Sequence, residues 1–180
     1  RLEMVARLGS DVAVLHIPLQ PEDEPARTAY WDRVRRSLDA LQACSRATGV
    51  RVALENGGTP QSWHPIIKVF ADYGPDFVGL CYDSGHGNMS GDGLDQLGAH
   101  ADRLIAVHLH DNDGSSDQHA LPFMGTVDWD RLTKLIAASS YGKWINLELS
   151  QSRSGYEDTT AFLRDAFSIA NRLTAAVAAA

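Results

Sequence analysis

Short apolar runs alternate with amphipathic helical stretches along the whole chain, and this alternation constrains the fold more than any other feature. Runs rich in Val, Ile and Leu predict strands over 12–18, 50–56, 77–83, 104–111 and 144–150. Apolar residues at helical spacing predict helices over 26–49, 62–74, 93–103, 128–142 and 156–175, and the end of a helix before Gly9. Runs that are apolar throughout are typical of parallel strands covered on both faces. The sequence therefore predicts an α/β fold with right-handed crossover connections.

The residues that end these strands separate the two common folds of this type. A nucleotide-binding doubly wound sheet normally has a glycine-rich loop after an early strand, but "ENGGTP" is not a GxGxxG motif and the chain has no P-loop. A (β/α) barrel instead collects its chemistry at the carboxyl ends of many strands. Glu55, Asp83, His108 and Glu148 all occupy that place. We therefore expect a TIM barrel with these four side chains at its mouth.

These four side chains would form a mixed carboxylate and imidazole site. Three carboxylates in a pocket of low dielectric constant repel one another, and a divalent cation removes that repulsion. Oxygen and imidazole ligands suit hard or borderline ions, so Mn²⁺, Mg²⁺, Co²⁺ or Zn²⁺ is expected rather than a soft ion. The sequence therefore predicts a divalent-metal site with Glu55, Asp83, His108 and Glu148 as ligands.

Further polar residues lie near these strand ends and are candidates for substrate contact. His86 follows Asp83 by three residues, and Gly85 and Gly87 predict a sharp turn between strand and histidine. His110 alternates with His108 along one strand and should face the same side. The remaining candidates lie at strand ends or in the loops that follow them, including the polar loop 112–126, and they are His16, Asn56, Trp63, Asp117 and His119. A buried histidine at position 16 and a helix-start packing role for Trp63 are alternatives of equal weight.

Length, charge and cysteine content limit the functional classes. The chain of 180 residues suits one domain, 1–180, without a linker, and its formal net charge of -7 argues against a nucleic-acid partner. No apolar run approaches the length of a membrane span. The two cysteines, Cys44 and Cys81, have no metal or redox spacing and are expected to be free thiols in a reducing, cytoplasmic compartment. The sequence leaves open whether the chain forms a homo-oligomer.

Four motifs in order resemble one protein family over nearly the whole chain. "VALENGG", "LCYDSGHGNMSG", "IAVHLHDNDGSSDQH" and "INLELS" are similar to the sugar phosphate isomerase/epimerase group of the xylose-isomerase-like TIM-barrel superfamily, of the AP endonuclease family 2 type. This superfamily also includes ketohexose 3-epimerases, inosose dehydratases and endonuclease-IV-type AP endonucleases. The resemblance implies one divalent ion held by Glu55, Asp83, His108 and Glu148, with His86 meeting the substrate or a second metal.

The resemblance also implies that part of a barrel is present. The family's first three strands have no counterpart, so we expect the C-terminal five βα units of a (β/α)₈ barrel, with two open sheet edges. The loop "DQHALPFMGTVDW" is similar to the family pattern D-x-H-x-x-P-G-x-G-x-[IV]-D-W, from which Phe123-Met124 departs. Because of this departure, the family pattern does not predict the conformation of this loop or its contacts with substrate.

The expected function is that of a metal-dependent sugar isomerase or epimerase acting on a small sugar or cyclitol. The resemblance implies proton transfer next to a carbonyl through an enediolate, with Glu55 and Glu148 as the catalytic pair. Three alternatives stay open at this point. They are an endonuclease-IV-like phosphodiesterase, an inosose-dehydratase-like lyase, and a truncated barrel that binds sugar or metal without catalysis.

Overall fold

The computed structural model describes all 180 residues and contains a four-stranded parallel sheet in the order β1-β2-β3-β4. The strands are β1 Val12–His16, β2 Arg51–Glu55, β3 Val78–Asp83 and β4 Leu104–His108. The helices are α1 Leu2–Arg7, α2 Glu24–Thr48, α3 Trp63–Asp72, α4 Ser84–Ser90, α5 Gly93–Ala99, α6 Trp129–Ala137 and α7 Thr159–Ala179. Short 3₁₀ turns, Pro60–Ser62 and Ala101–Arg103, precede α3 and β4. The predicted parallel α/β arrangement is confirmed.

The longest connection, α2, shows how local sequence sets the path of the chain. The Asp23 side chain accepts a hydrogen bond from the Ala26 N–H at 3.1 Å and so caps the first turn, in which Pro25 needs no hydrogen-bond acceptor. The helix ends at Gly49, whose φ of 76° is the left-handed conformation that glycine adopts without strain. This stop returns the chain to the sheet, where β2 pairs with β1.

Strand register gives the sheet two different faces. Val52, Leu54, Leu80 and Val107 face the helices in the main apolar core, where each buried side chain contributes about 1.5–3 kcal/mol. On the opposite face, small or partly buried side chains pack together, namely Val12, Val14, Ala53, Cys81, Ile105 and Ala106. Because side chains alternate along a strand, the residues two positions further on face this same inner side. Those residues are His16, Glu55, Asp83 and His108, and the register pairs His16 with Glu55 and Asp83 with His108.

The predicted fifth strand, 144–150, is only partly formed. It lies parallel to the chain after β4 and makes one isolated bridge, between Leu109 and Leu147. The Leu109 N–H donates to Asn146 O at 2.9 Å, and the Glu148 N–H donates to Leu109 O at 3.1 Å. The segment begins with Trp144, which is 89% exposed. A strand paired on one side only lacks the support of a central strand, but this bridge suffices to place Glu148.

The turn predicted at Gly85 and Gly87 is instead a helix. α4 begins directly after β3, because the Asp83 side chain accepts the His86 N–H at 2.7 Å and caps it. The glycines allow close packing rather than a turn. A Cβ atom at position 87 would lie 2.2 Å from the Tyr82 hydroxyl oxygen, and one at position 85 would lie 1.9 Å from His110 Cε1.

Three helices also differ from their predicted bounds by three residues or more, and one of them, α6, ends at Ala137 rather than at 142. α5 stops at Ala99 and a 3₁₀ turn covers the rest of 93–103, while the last helix runs over Thr159–Ala179 rather than 156–175. Asp158 fixes the later start of α7, since its side chain accepts the N–H groups of Thr160 and Ala161. None of the helices is both long enough and apolar enough to cross a bilayer.

Candidate metal centre

Glu55, Asp83, His108 and Glu148 come together at the carboxyl ends of the strands. Their ligand-type atoms, one from each residue, all lie within 4.8 Å of one another. His108 Nδ1 lies 3.1 Å from Glu55 Oε2 and 2.7 Å from Glu148 Oε2. Four residues separated widely in the sequence thus meet at one point, as the strand-end pattern predicts.

Main-chain and amide contacts hold two of these side chains in place. Asn56, directly after β2, joins the ends of β2 and β3. The side-chain NH₂ group of Asn56 donates to the main-chain oxygen of Asp83 at 3.0 Å, and Asn56 Oδ1 accepts the Asp83 N–H at 2.8 Å. Through these two bonds the Asn56 side chain extends the hydrogen bonding between β2 and β3 beyond the last residue of β2. Glu55 and Asp83 therefore keep a fixed relative position.

Burial separates the carboxylates of the cluster. The Glu55 and Asp83 side chains are 4% and 1% exposed, whereas the Glu148 side chain is 44% exposed. Burial alone would raise the pKa of Asp83, but the hydrogen bond and charge of His110 outweigh it and leave that pKa lowered. The Glu55 carboxylate raises the pKa of His108, although burial opposes this shift. The buried cluster therefore carries negative charge that His108 and His110 offset in part.

The cluster fits a divalent cation. His108 Nδ1 and Glu148 Oε2 are both buried and lack a hydrogen-bond partner, although 2.7 Å separates them. Buried polar atoms are normally satisfied, so atoms left in this state call for an explanation. A cation with imidazole and carboxylate ligands would satisfy both atoms at once. The residues present therefore match the chemistry expected of the site.

A layer of histidines lies beside the four-residue cluster. His110 Nε2 lies 3.1 Å and 3.2 Å from the two Asp83 carboxylate oxygens, and the His110 ring stacks on His119 at 4.1 Å. His119 Nε2 lies 3.0 Å from Asp117 Oδ2, and its Nδ1 donates to Glu148 O at 3.1 Å. His86 Nδ1 donates to the main-chain oxygen of Asn56 at 2.9 Å. His110, Asp117 and His119 also place their ligand-type atoms within 4.8 Å of one another.

The structure distributes the predicted substrate-contact residues between surface and interior. His16, His86, Asp117 and His119 keep exposed side-chain surface beside the cluster; the exposed fractions are 67%, 18%, 38% and 20%. Asn56 and His110 are 0% exposed and so have no surface for substrate, and Trp63, at 1%, follows the packing alternative stated for it. Asn56 and His110 bond to Asp83, and Trp63 packs in the core at the start of α3.

Asp111 is an important residue that the strand-end pattern did not single out. Its carboxylate is fully buried and accepts four hydrogen bonds, from the N–H groups of Asn112, Phe123 and Val127 and from Trp129 Nε1. These bonds tie both ends of the loop 112–126 to the end of β4. Trp129 follows Asp111 by 18 residues, so no local pattern in the sequence indicates this contact.

The loop keeps a conformation typical of glycine where Phe123 departs from the family pattern. Phe123 has a φ of 74°, the left-handed region that non-glycine residues rarely adopt. Its N–H is held by Asp111 Oδ2 at 2.9 Å, and its ring packs on Trp129 and under the Arg172 guanidinium. Phe123 therefore has the backbone conformation that the glycine of the family pattern would adopt without strain.

A cavity of about 500 Å³ lies apart from this centre, between β1 and α2. Its walls are mostly apolar and include Leu15, Ile17, Tyr30 and Val34. Only His16 borders both the cavity and the cluster. The polar chemistry of the molecule is thus concentrated at the strand ends and not in this larger cavity.

Comparison with known proteins agrees with this arrangement. Residues 1–166 match the model of the family described as xylose isomerase-like TIM barrel. The chain belongs to this family. The predicted barrel fold and the resemblance that the four motifs suggested are thereby confirmed.

Relatives in the family are longer than this chain. It is 36% identical to the uncharacterized protein y4fM of Sinorhizobium fredii, over 100% of this chain and 60% of that protein. It is 28% identical to an inosose dehydratase of Lactiplantibacillus plantarum, over 74% of this chain and 51% of the enzyme. The chain thus spans between about half and 60% of the length of these relatives.

Solved structures of the family share the fold. An IOLI protein with a binding zinc atom has a TM-score of 0.71 at 22% identity, over 98% of this chain and 66% of that one. The 3-keto-D-glucoside 4-epimerase YcjR of E. coli has a TM-score of 0.65 at 24% identity, over 95% and 67%. Coverage near two thirds of these chains fits a partial barrel.

Proposed function

We propose that Glu55, Asp83, His108 and Glu148 bind a divalent cation in a site that moves a proton next to the carbonyl of a small sugar or cyclitol. The observation that carries the proposal is the convergence of these side chains, with unpartnered buried atoms on His108 and Glu148. The family supports the substrate class, because its members include proteins described as sugar epimerases and inosose dehydratases.

The chemistry divides between the cation and the two glutamates. A divalent cation supplies polarisation of a substrate carbonyl and stabilises the charge that develops when the neighbouring carbon loses its proton. Glu148 is 44% exposed and can reach a substrate carbon, so we assign to it the first proton transfer. Glu55 is 4% exposed, and its Oε2 lies 3.1 Å from the His108 nitrogen that Glu148 also contacts, so we assign to it the return of the proton.

Exposed polar groups beside the cluster suit a polyhydroxylated substrate. His16, His86, Asp117 and His119 offer hydrogen-bond donors and acceptors around the opening. Asp117 and His119 are already paired at 3.0 Å, so one ring nitrogen and one carboxylate oxygen are oriented in advance. We propose that these four residues bind substrate hydroxyl groups.

Dehydration is the second candidate reaction, because inosose dehydratases of several bacteria are among the relatives. Loss of water from a cyclitol also begins with removal of a proton next to a carbonyl, so the same glutamates would act. The two reactions differ in product, since an epimerase conserves mass and a lyase releases one water molecule. Cleavage of abasic DNA has less support, because the net charge of -7 disfavours a polyanionic partner.

The test combines metal analysis with turnover. Protein purified without chelator is analysed for bound metal, then incubated with Mn²⁺, Co²⁺ or Zn²⁺ and a panel of ketohexoses and inososes. Epimer formation supports isomerisation, loss of water supports the lyase, and sugar binding without turnover supports a binding module. The absence of stoichiometric metal under all these conditions would overturn the proposal.

A matched pair of variants tests the proton transfer. Glu148→Gln, measured at saturating metal, is expected to reduce kcat by about 10²–10⁴-fold, the typical contribution of a general base. Glu157→Gln makes the same chemical change in the exposed turn before α7 and should leave kcat unchanged. Full turnover by metal-loaded Glu148→Gln would exclude Glu148 as the base.

A further inference from the structure

His110 is a fully buried histidine whose main polar contact is with the Asp83 carboxylate. Its side chain is 0% exposed, and its Nε2 faces both carboxylate oxygens of Asp83, at 3.1 Å and 3.2 Å. The next acceptor in line, Asp117 Oδ1, is further away at 3.6 Å. Because Nε2 faces only acceptors, it must carry a hydrogen and donate it to Asp83. His110 Nε2 is therefore used by a carboxylate, Nδ1 lies 3.5 Å from the main-chain oxygen of Asp111, and the ring has no exposed surface for a ligand.

Three further residues, Ser84, Gly85 and His119, fix the position of His110. Ser84 Oγ donates to His110 O at 2.6 Å and accepts the His110 N–H at 2.9 Å, so the main chain is locked from both sides. The Cε1 side of the ring lies against Gly85, where a Cβ would come within 1.9 Å of Cε1. The ring also stacks on His119, at 4.1 Å and an interplanar angle of 10°.

Two donors then determine how the Asp83 carboxylate is turned. The His86 N–H binds Oδ1 at 2.7 Å, and His110 Nε2 lies between Oδ1 and Oδ2. A single donor would leave the carboxylate free to rotate about its last bond, whereas two donors in different directions fix its plane. Outer hydrogen bonds of this kind orient metal-binding side chains and raise affinity.

We propose that His110 is a positioning residue, which holds the Asp83 carboxylate in the orientation that binds the cation. The inference rests on the proposed function of the cluster as a metal site. It also gives a common reason for three separate sequence features. Gly85 makes room for the ring, Ser84 fixes the main chain of His110, and His119 stacks on the ring.

Co²⁺ binding tests this inference, because both the affinity and the visible absorption spectrum of Co²⁺ report on its ligands. His110→Leu removes the donor and keeps a similar volume, and His110→Gln places an amide donor near the position of Nε2. We expect His110→Leu to weaken Co²⁺ binding by about 10–100-fold and to change the spectrum, and His110→Gln to recover most of the affinity. His100→Leu makes the same change at a histidine outside the cluster, packed on Phe70, and should bind Co²⁺ as the wild type does.

Thermal unfolding without metal separates positioning from simple packing. A packing role would lower the melting temperature of His110→Leu without changing the Co²⁺ affinity or spectrum of the folded fraction. If His110→Leu does not fold, His110→Asn takes its place, because its shorter amide cannot reach Asp83. Wild-type Co²⁺ affinity and spectrum in either variant that lacks the bond to Asp83, or no recovery in His110→Gln, would overturn the inference. A wild-type chain that binds no Co²⁺ would instead remove the proposed metal site, and this inference with it.

Discussion

Asp111 offers the sharpest test of how the loop over the metal centre is held. Its Oδ1 accepts the N–H groups of Asn112 and Val127 at 2.9 Å and 3.1 Å. Its Oδ2 accepts the Phe123 N–H at 2.9 Å and Trp129 Nε1 at 2.7 Å. Asp111→Asn keeps the shape of the side chain but replaces one oxygen by an NH₂ group. That group must then face two N–H donors, whichever way the amide is turned.

The expected loss follows from the two bonds that cannot form. A hydrogen bond to a charged group contributes about 1.5–3 kcal/mol, so losing two of them costs about 3–6 kcal/mol. The whole free energy of unfolding of a domain is about 5–15 kcal/mol. Asp111→Asn should therefore lose a large part of its stability, and the loop should open first.

Urea unfolding measures the total loss, and hydrogen exchange at the Phe123 and Val127 amides measures the opening of the loop. The control is Asp113→Asn, two residues further on, whose exposed carboxylate accepts hydrogen bonds from the N–H and the hydroxyl group of Ser115 only. Its change should stay within about 0.5 kcal/mol, as for most surface substitutions. A loss below about 1 kcal/mol in Asp111→Asn, or one equal to the control, would refute the reasoning.

Three other substitutions have definite expected outcomes, all measurable by urea unfolding. Gly85→Ala drives a methyl group into the His110 ring and should lower the free energy of unfolding by about 1–3 kcal/mol. Gly98→Ala should not destabilise the protein, because a Cβ atom there would have its nearest neighbour at 3.4 Å. Equal effects of the two substitutions would contradict the packing argument. At position 123 the left-handed φ should make Phe123→Gly more stable than Phe123→Ala by about 1 kcal/mol, and the reverse order would disprove strain there. Burial lowers the pKa of His100, so its folded form binds a proton more weakly than its unfolded form. The stability this provides is complete above the unfolded pKa of about 6.5 and is lost as the pH falls through the lowered value; His100→Gln should remove that loss, and identical pH profiles would contradict it.

The sequence was sufficient to place the four proposed ligands because simple periodicity controls them. Glu55, Asp83 and His108 each end a parallel strand, and side chains alternate along a strand, so their common side follows from counting. Glu148 was also placed correctly, although its strand is hardly formed. One bridge beside Leu109 fixes its position, and longer pairing is not needed.

The sequence could not reveal contacts that depend on the path of a loop or on close packing. Asp111 binds N–H groups from residues up to 18 positions away, and their approach depends on the conformation of the whole loop. The glycine in "DSGH" was expected to make a turn, because nothing local indicates that a ring from another strand presses on it. The burial of His110 has the same origin, since Gly85 and His119 enclose it only after both segments have folded.

The side-chain bridge from Asn56 to the main chain of Asp83 has a consequence for how such a protein can diversify. It secures the end of β2 at the last residue before the chain leaves the sheet, so the alignment of Glu55 owes nothing to the turn that follows. Insertions or exchanges beyond Gly57 can therefore reshape the rim, and with it the choice of molecule admitted, while the arrangement of the four proposed ligands is kept.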